Sequence, residues 1–218
     1  MTSASGPLSP TAARSPAAAP GRPADAVRTW PRLLTTAADT CLDALLAAAD
    51  RDWSRPAHGL DWSCRQTLDH LALGLLGYAG LLIARPRDRY ITLFGSLDPQ
   101  APIADCVEGL RIAASLLTTT VRDTPEEVRA WHPWGHADAA GFAAMGVVEL
   151  LVHTHDIGRS LGLAWTMPGD LGAAALARLF PDAPGGHAPA ATLLWCTGRA
   201  ALPGLARRTS WQWDGRVR

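Results

Sequence analysis

The sequence predicts an all-α protein, a four-helix bundle followed by short C-terminal helices, on two observations. The composition is 48% hydrophobic yet only 6% aromatic, and the apolar share is carried largely by Ala and Leu, a balance that favours packed helices over sheets. Four long stretches also repeat their apolar residues at i, i+3, i+4 and i+7, the spacing of a helix that buries one stripe. At 218 residues the chain is expected to be one domain with a small appendage.

Residues 1–25 are Ala, Pro, Ser and Gly with almost nothing large to bury, so a disordered N-terminal tail is expected. From Val27 the pattern changes. Trp30, Leu33, Leu34, Ala37, Ala38, Cys41, Leu45 and Ala48 form one stripe, a first helix ending near Asp50. After a loop through Pro56 and Gly59, Ser63 with Gln66 three residues later is a capping-box signature and starts a second helix. That helix is apolar nearly all round and should stop before Arg85-Pro86, because proline disfavours helix in the residue before it. Its His70 shares a face with Gly74 and Gly77, which leave unusual room beside the imidazole.

The link over residues 85–102 is long for a helical domain, and its Tyr90 to Phe94 segment is read as a cover for one end of the bundle. Ile103, Val107, Leu110, Ala114, Leu117 and Val121 mark a third helix. A turn-rich aromatic segment, Trp131-His132-Pro133-Trp134-Gly135-His136, precedes Asp138, the expected N-cap of a fourth helix that closes at Gly162. Two short helices, Met167 to Phe180 and Ala188 to Arg199, are expected beyond it, and Thr209 to Trp213 as extended chain. The resulting division is a tail over 1–25, a bundle over 26–162 and an extension packed on the bundle over 163–218.

Net charge is zero and every basic side chain is arginine, so no long-range field steers the chain toward nucleic acid or an anionic membrane. Cys41, Cys64, Cys106 and Cys196 show no C-x-x-C spacing, which fits a reducing cytosol. No basic-then-apolar leader is present, and no run reaches the roughly 18 apolar residues of a membrane span. A cytoplasmic protein acting on a small molecule as monomer or homodimer is expected.

The fourth helix concentrates the polar chemistry. At about 100° per residue, Glu149, His153 and Asp156 fall on one face, while the flanking Phe142, Met145, Val148, Leu150, Leu151 and Val152 indicate a core environment. Charges survive there only when paired or metal-bound. With His70 from the second helix, Glu149 and His153 make the two-imidazole, one-carboxylate set of a catalytic zinc, and the same donors admit Fe²⁺, Mn²⁺, Co²⁺ or Ni²⁺. An internally satisfied Glu–His pair has the same spacing, and a lone histidine such as His70 is more often a hydrogen-bonded core residue.

The phrases DWSCRQTLDHLALGLLGYA, AAMGVVELLVHTHDIGRSLG and LLWCTGRAALPG resemble the N-terminal domain of mycothiol-dependent maleylpyruvate isomerase, within the DinB-like superfamily, from about Val27 to Gly204. The resemblance implies a DinB-like four-helix bundle with a long crossover between its second and third helices. It also implies a divalent metal held by the histidine of the W-[ST]…H segment and by E-x-x-x-H, which here are His70, Glu149 and His153. Mycothiol is the implied thiol cofactor. The two-domain isomerase, as the family implies, carries a further C-terminal domain.

Asp156 is read either as the group that orients His153 or as half of a buried ion pair with an arginine, and His155 as a loop-facing side chain or a base at the metal rim. Asp156 and His155 are the catalytic candidates. Trp131, His132, Trp134 and His136 are read as a lid or substrate wall or, in preference, as an apolar cap over the bundle end, with Trp134 and His136 the cofactor-binding candidates. Arg85, Arg87 and Arg89 read as a solvated loop in preference to a site attracting a carboxylate-bearing ligand. The expected function is metal-activated thiol transfer or thiol-assisted isomerisation of a small electrophile. A non-catalytic helical binding module, with or without metal, and a metal-dependent hydrolase are the alternatives.

Overall fold

Helix boundaries follow local chemistry closely in this computed structural model, which describes residues 23–93 and 95–217, with side chains from residue 29. Helix α1, Pro23–Leu46, begins four residues before the apolar stripe, on a proline whose fixed φ and missing N–H suit a first helical position. The expected disordered tail thus lies outside the described residues as far as residue 22. Helix α2, Cys64–Ala84, opens on a complete capping box: the Gln66 N–H donates to Ser63 Oγ at 3.1 Å, and the Ser63 N–H donates to Gln66 Oε1 at 2.9 Å. It ends at Arg85, in the left-handed region at φ 50°, directly before Pro86.

Helix α3, Ile103–Asp123, follows the long crossover over residues 85–102. Helix α4, Ala139–Leu161, is capped at its start by Asp138 Oδ1, which accepts from the Gly141 N–H at 2.7 Å, and at its end by Gly162 at φ 71°. Both α1 and α2 pack against α3 and α4, which defines the four-helix bundle. The tightest point is Gly146: a Cβ there would stand 2.9 Å from Leu117, 3.2 Å from Leu34 and 3.2 Å from Leu75, one leucine from each of the other three helices. Around it Phe142, Met145, Leu150 and Leu151 are fully buried.

Helix α2 is long and apolar enough to cross a membrane by length and composition, which corrects the expectation that no run reaches that length; half of its apolar window is buried inside the bundle. Helix α5, Gly169–Leu179, packs on α4, and α6, Pro189–Cys196, packs on α5. The last helix is shorter than its sequence pattern, because Gly198 turns the chain at φ 71°. Among the described residues there is no strand; residues 209–213 are irregular and make no backbone ladder bond with the chain beside them.

The crossover runs back along α2. Its Ile91 Cδ1 occupies the space where a Cβ on Gly80 would stand, Asp69 Oδ1 accepts from the Leu97 N–H at 2.6 Å, and Arg65 donates to the carbonyls of Asp98 and Ala101. It therefore covers the flank of α2 beside His70, where the sequence pointed to an end of the bundle; Phe94 is outside the described residues.

Candidate metal centre

Because α2 and α4 pack against each other, His70 on one and Glu149 and His153 on the other converge. Glu149 Oε2 lies 3.0 Å from His153 Nε2 and 3.7 Å from His70 Nε2, and one donor atom from each of the three residues falls within 4.8 Å of the other two. A tetrahedral ion bonded at about 2.1 Å separates its ligands by about 3.4 Å. The observed separations straddle that value, and nitrogen and carboxylate oxygen are donors that suit a borderline divalent ion. The residues fit a metal.

The remaining contacts hold these side chains in place. Tyr78, buried one helix away, donates its hydroxyl to Glu149 Oε1 at 3.1 Å, so the carboxylate keeps Oε2 toward the imidazoles. His153 Nδ1 faces Asp156 Oδ2 at 3.3 Å, an ion-pair separation without hydrogen-bond alignment. Asp156 is fully buried and is matched by Arg199, whose Nη2 donates to Oδ2 at 2.9 Å and whose Nη1 donates to the Thr197 carbonyl at 2.8 Å. Arg199 thus ends a chain of charge running through Asp156 to the inner nitrogen of His153. Of the two alternatives for Asp156, the ion pair with an arginine is present, to Arg199; the same carboxylate lies 3.3 Å from His153 Nδ1 without bonding to it.

Charge and burial oppose one another here. Burial alone would raise the Glu149 carboxyl, but the His153 and His70 imidazoles outweigh it and hold the group well below the usual carboxylate range. Burial would lower His153, yet the flanking Asp156 and Glu149 push it up to about 9. The Tyr78 phenol is driven well up, first by burial and then by Glu149. A divalent ion would supply the positive charge that Glu149 and Asp156 otherwise draw from a proton on His153.

Beside the trio opens a cavity of about 340 Å³, lined by His70 and Glu149 at one side and by Leu73, Leu76, Leu81, Ile91 and Leu93 around its walls. Apart from their chain neighbours and the helix's own backbone, Gly74 and Gly77 have no atom within 4 Å of where a Cβ would stand, which is the room their spacing with His70 foretold. The site is asymmetric: the His153 side chain is 9% exposed and that of His70 41%, so access comes from the α2 side.

Other sequence candidates lie elsewhere. His155 is half-buried and faces the loop, its ring 6.5 Å from that of His58, and burial lowers its pKa. Trp134 packs edge-on to Trp211 and Trp213, and His136 Nε2 meets the Arg87 carbonyl at 2.8 Å; neither lines the cavity beside the trio. Arg85, Arg87 and Arg89 are all exposed on the loop. Tyr78 and Tyr90 join the cavity without having been site candidates, and of the aromatic turn it is His132 that lines it. His132 is buried, its Nδ1 accepts the Trp134 N–H at 3.2 Å, and burial pushes its pKa down to about 4, so a neutral ring carries its proton on Nε2. Its place in an H-P-W turn was the only sequence signal, and that reads equally as a cap.

A family model described as the mycothiol maleylpyruvate isomerase N-terminal domain matches residues 34–158, which include α2, α3 and the whole trio. Among curated proteins and among solved structures, none matches the chain.

Proposed function

The chain belongs to the mycothiol maleylpyruvate isomerase N-terminal domain family, and from that premise we propose that it is a metal-dependent enzyme using a thiol cofactor, mycothiol, for thiol transfer or thiol-assisted isomerisation of a small electrophile. The observation that carries this reading is the convergence of His70, Glu149 and His153 at the wall of an apolar cavity that reaches two of them. These three side chains would hold a divalent ion, zinc first among the candidates. When bound, such an ion lowers the pKa of a thiol, so that thiolate is available at neutral pH.

The protein's own groups have separable tasks. Tyr78 fixes one Glu149 oxygen, so that this donor is set before any ligand arrives, and Asp156, held by Arg199, places a negative charge beside the inner nitrogen of His153. The leucines and Ile91 give the cavity apolar walls, which suit a small substrate with an apolar body. His132 offers a neutral N–H donor at the same cavity, suited to a carbonyl or carboxylate oxygen. The thiol is best supplied from outside: all four cysteines are buried, Cys41 is pushed up to about 12 by burial, and Cys64, Cys106 and Cys196 are raised by burial as well. A closed, non-catalytic site is disfavoured by the open cavity at His70. We place the activity in the cytoplasm, on a small-molecule substrate, away from nucleic acid and membranes.

Cobalt substitution tests the reading. Addition of mycothiol to the cobalt protein is expected to produce a thiolate-to-metal charge-transfer band in the near ultraviolet, absent from Glu149→Ala treated identically. An unchanged spectrum in the wild type refutes thiol ligation.

A further inference from the structure

A second cavity, of about 280 Å³, is lined by His58, Leu60, Arg199, Arg207, Arg208 and Trp211, among others. We propose that it is an oxyanion subsite, binding the carboxylate or phosphate group of a small molecule. Three arginines line one small space, Arg207 exposed and Arg208 half-buried, and Asp156 compensates only Arg199. Among the described residues no carboxylate pairs with the other two: Arg207 Nη1 donates to the Gly198 carbonyl at 3.0 Å, and the Arg208 guanidinium lies over the Trp195 ring at 5.2 Å. The whole chain is formally neutral, so this local surplus is not the edge of a generally basic surface. Gathering like charges without an acid is unfavourable until an anion joins them.

The loop that carries these arginines is fixed. Gly198, at φ 71°, lies so close to the segment opposite that a Cβ would stand 2.9 Å from the Arg208 carbonyl oxygen. Trp195 Nε1 donates to the Ala206 carbonyl at 2.9 Å, and Leu202 and Leu205 close a small turn between them. Held in this way, the guanidinium forks can meet a planar or tetrahedral oxyanion with little further ordering. Trp211, with Arg199 at 5.8 Å from its ring centre, offers a flat wall for the carbon part of a ligand. None of this depends on a metal at His70.

The test is calorimetric titration of the full chain at low ionic strength, with inorganic phosphate in one arm and malonate in the other. At least one should bind saturably, with a Kd of about 1 mM or tighter. Stronger binding of phosphate assigns a phosphate ester, and stronger binding of malonate a carboxylate. The Arg207→Ala/Arg208→Ala protein is expected to bind at least tenfold more weakly, and the double Lys variant to fall between, since it keeps charge but loses the fork. Metal content should be the same in wild type and the Ala variant, so failure here is distinct from failure of the metal reading. Absence of saturation by either anion below about 10 mM in the wild type overturns the proposal even if the variant does not fold, as does unchanged affinity in a folded Ala variant.

Discussion

Replacing Arg199 by Met tests the chain of contacts behind His153. Arg199 is 12% exposed in its side chain and Asp156 is not exposed at all, so the substitution leaves a carboxylate in the core with only the His153 imidazole, 3.3 Å away, as a cationic neighbour. Breaking a buried pair from one side costs about 3–5 kcal/mol, a large part of the roughly 5–15 kcal/mol that holds a domain folded. With a urea m-value of about 2 kcal/mol/M, the midpoint should fall by about 1.5–2.5 M. Adding Asp156→Asn removes the uncompensated charge and should restore at least half of the loss. His153 then keeps its place on α4 but lacks a fixed partner for Nδ1, and metal affinity should fall by about 10- to 100-fold in either protein. Equilibrium unfolding monitored by far-ultraviolet circular dichroism reads the first effect, and metal titration the second. A loss below about 1 kcal/mol for Arg199→Met would place the pair among solvated surface bridges and refute the reasoning.

Two further outcomes follow from packing and burial. Gly146→Ala gains about 1 kcal/mol of helix propensity but sets a methyl 2.9–3.2 Å from three leucines; overpacking of about 1–3 kcal/mol wins, so thermal unfolding should show net destabilisation, and a more stable variant contradicts the close approach. His132 is held neutral, with its pKa pushed from the ordinary 6.5 to about 4. The unfolded chain therefore takes up a proton that the folded chain refuses, and stability contributed by this group above pH 6.5 is lost as pH falls toward 4, on the order of 3 kcal/mol in all. His132→Asn, which keeps an acceptor for the Trp134 N–H, should flatten that slope in urea unfolding at stepped pH, whereas an unchanged slope places the effect elsewhere.

Local features were legible wherever one element carried the whole signal. Ser63 and Gln66 cap α2 as their spacing said, and Glu149, His153 and Asp156 share a face because helical geometry alone places them there. His70 could be joined to them because a bundle brings facing helices together. What the sequence hid was contact across distant chain. Arg199 reaches Asp156 from 43 residues away, beyond a turn that no periodicity marks. The crossover lies along α2, set there by Ile91 in the gap at Gly80 and by Asp69 holding Leu97. His132 was visible only as part of an aromatic turn, since which ring of such a turn goes inward depends on Phe142 and Trp213 beneath it.

The central claim, that His70, Glu149 and His153 hold a metal, is met most directly by elemental analysis of protein purified without added metal. The account predicts close to one equivalent of a divalent ion in the wild type and none in His70→Ala or Glu149→Ala, each still folded by circular dichroism. A wild-type protein that carries no stoichiometric metal and takes up none when zinc, cobalt or manganese is offered would contradict it.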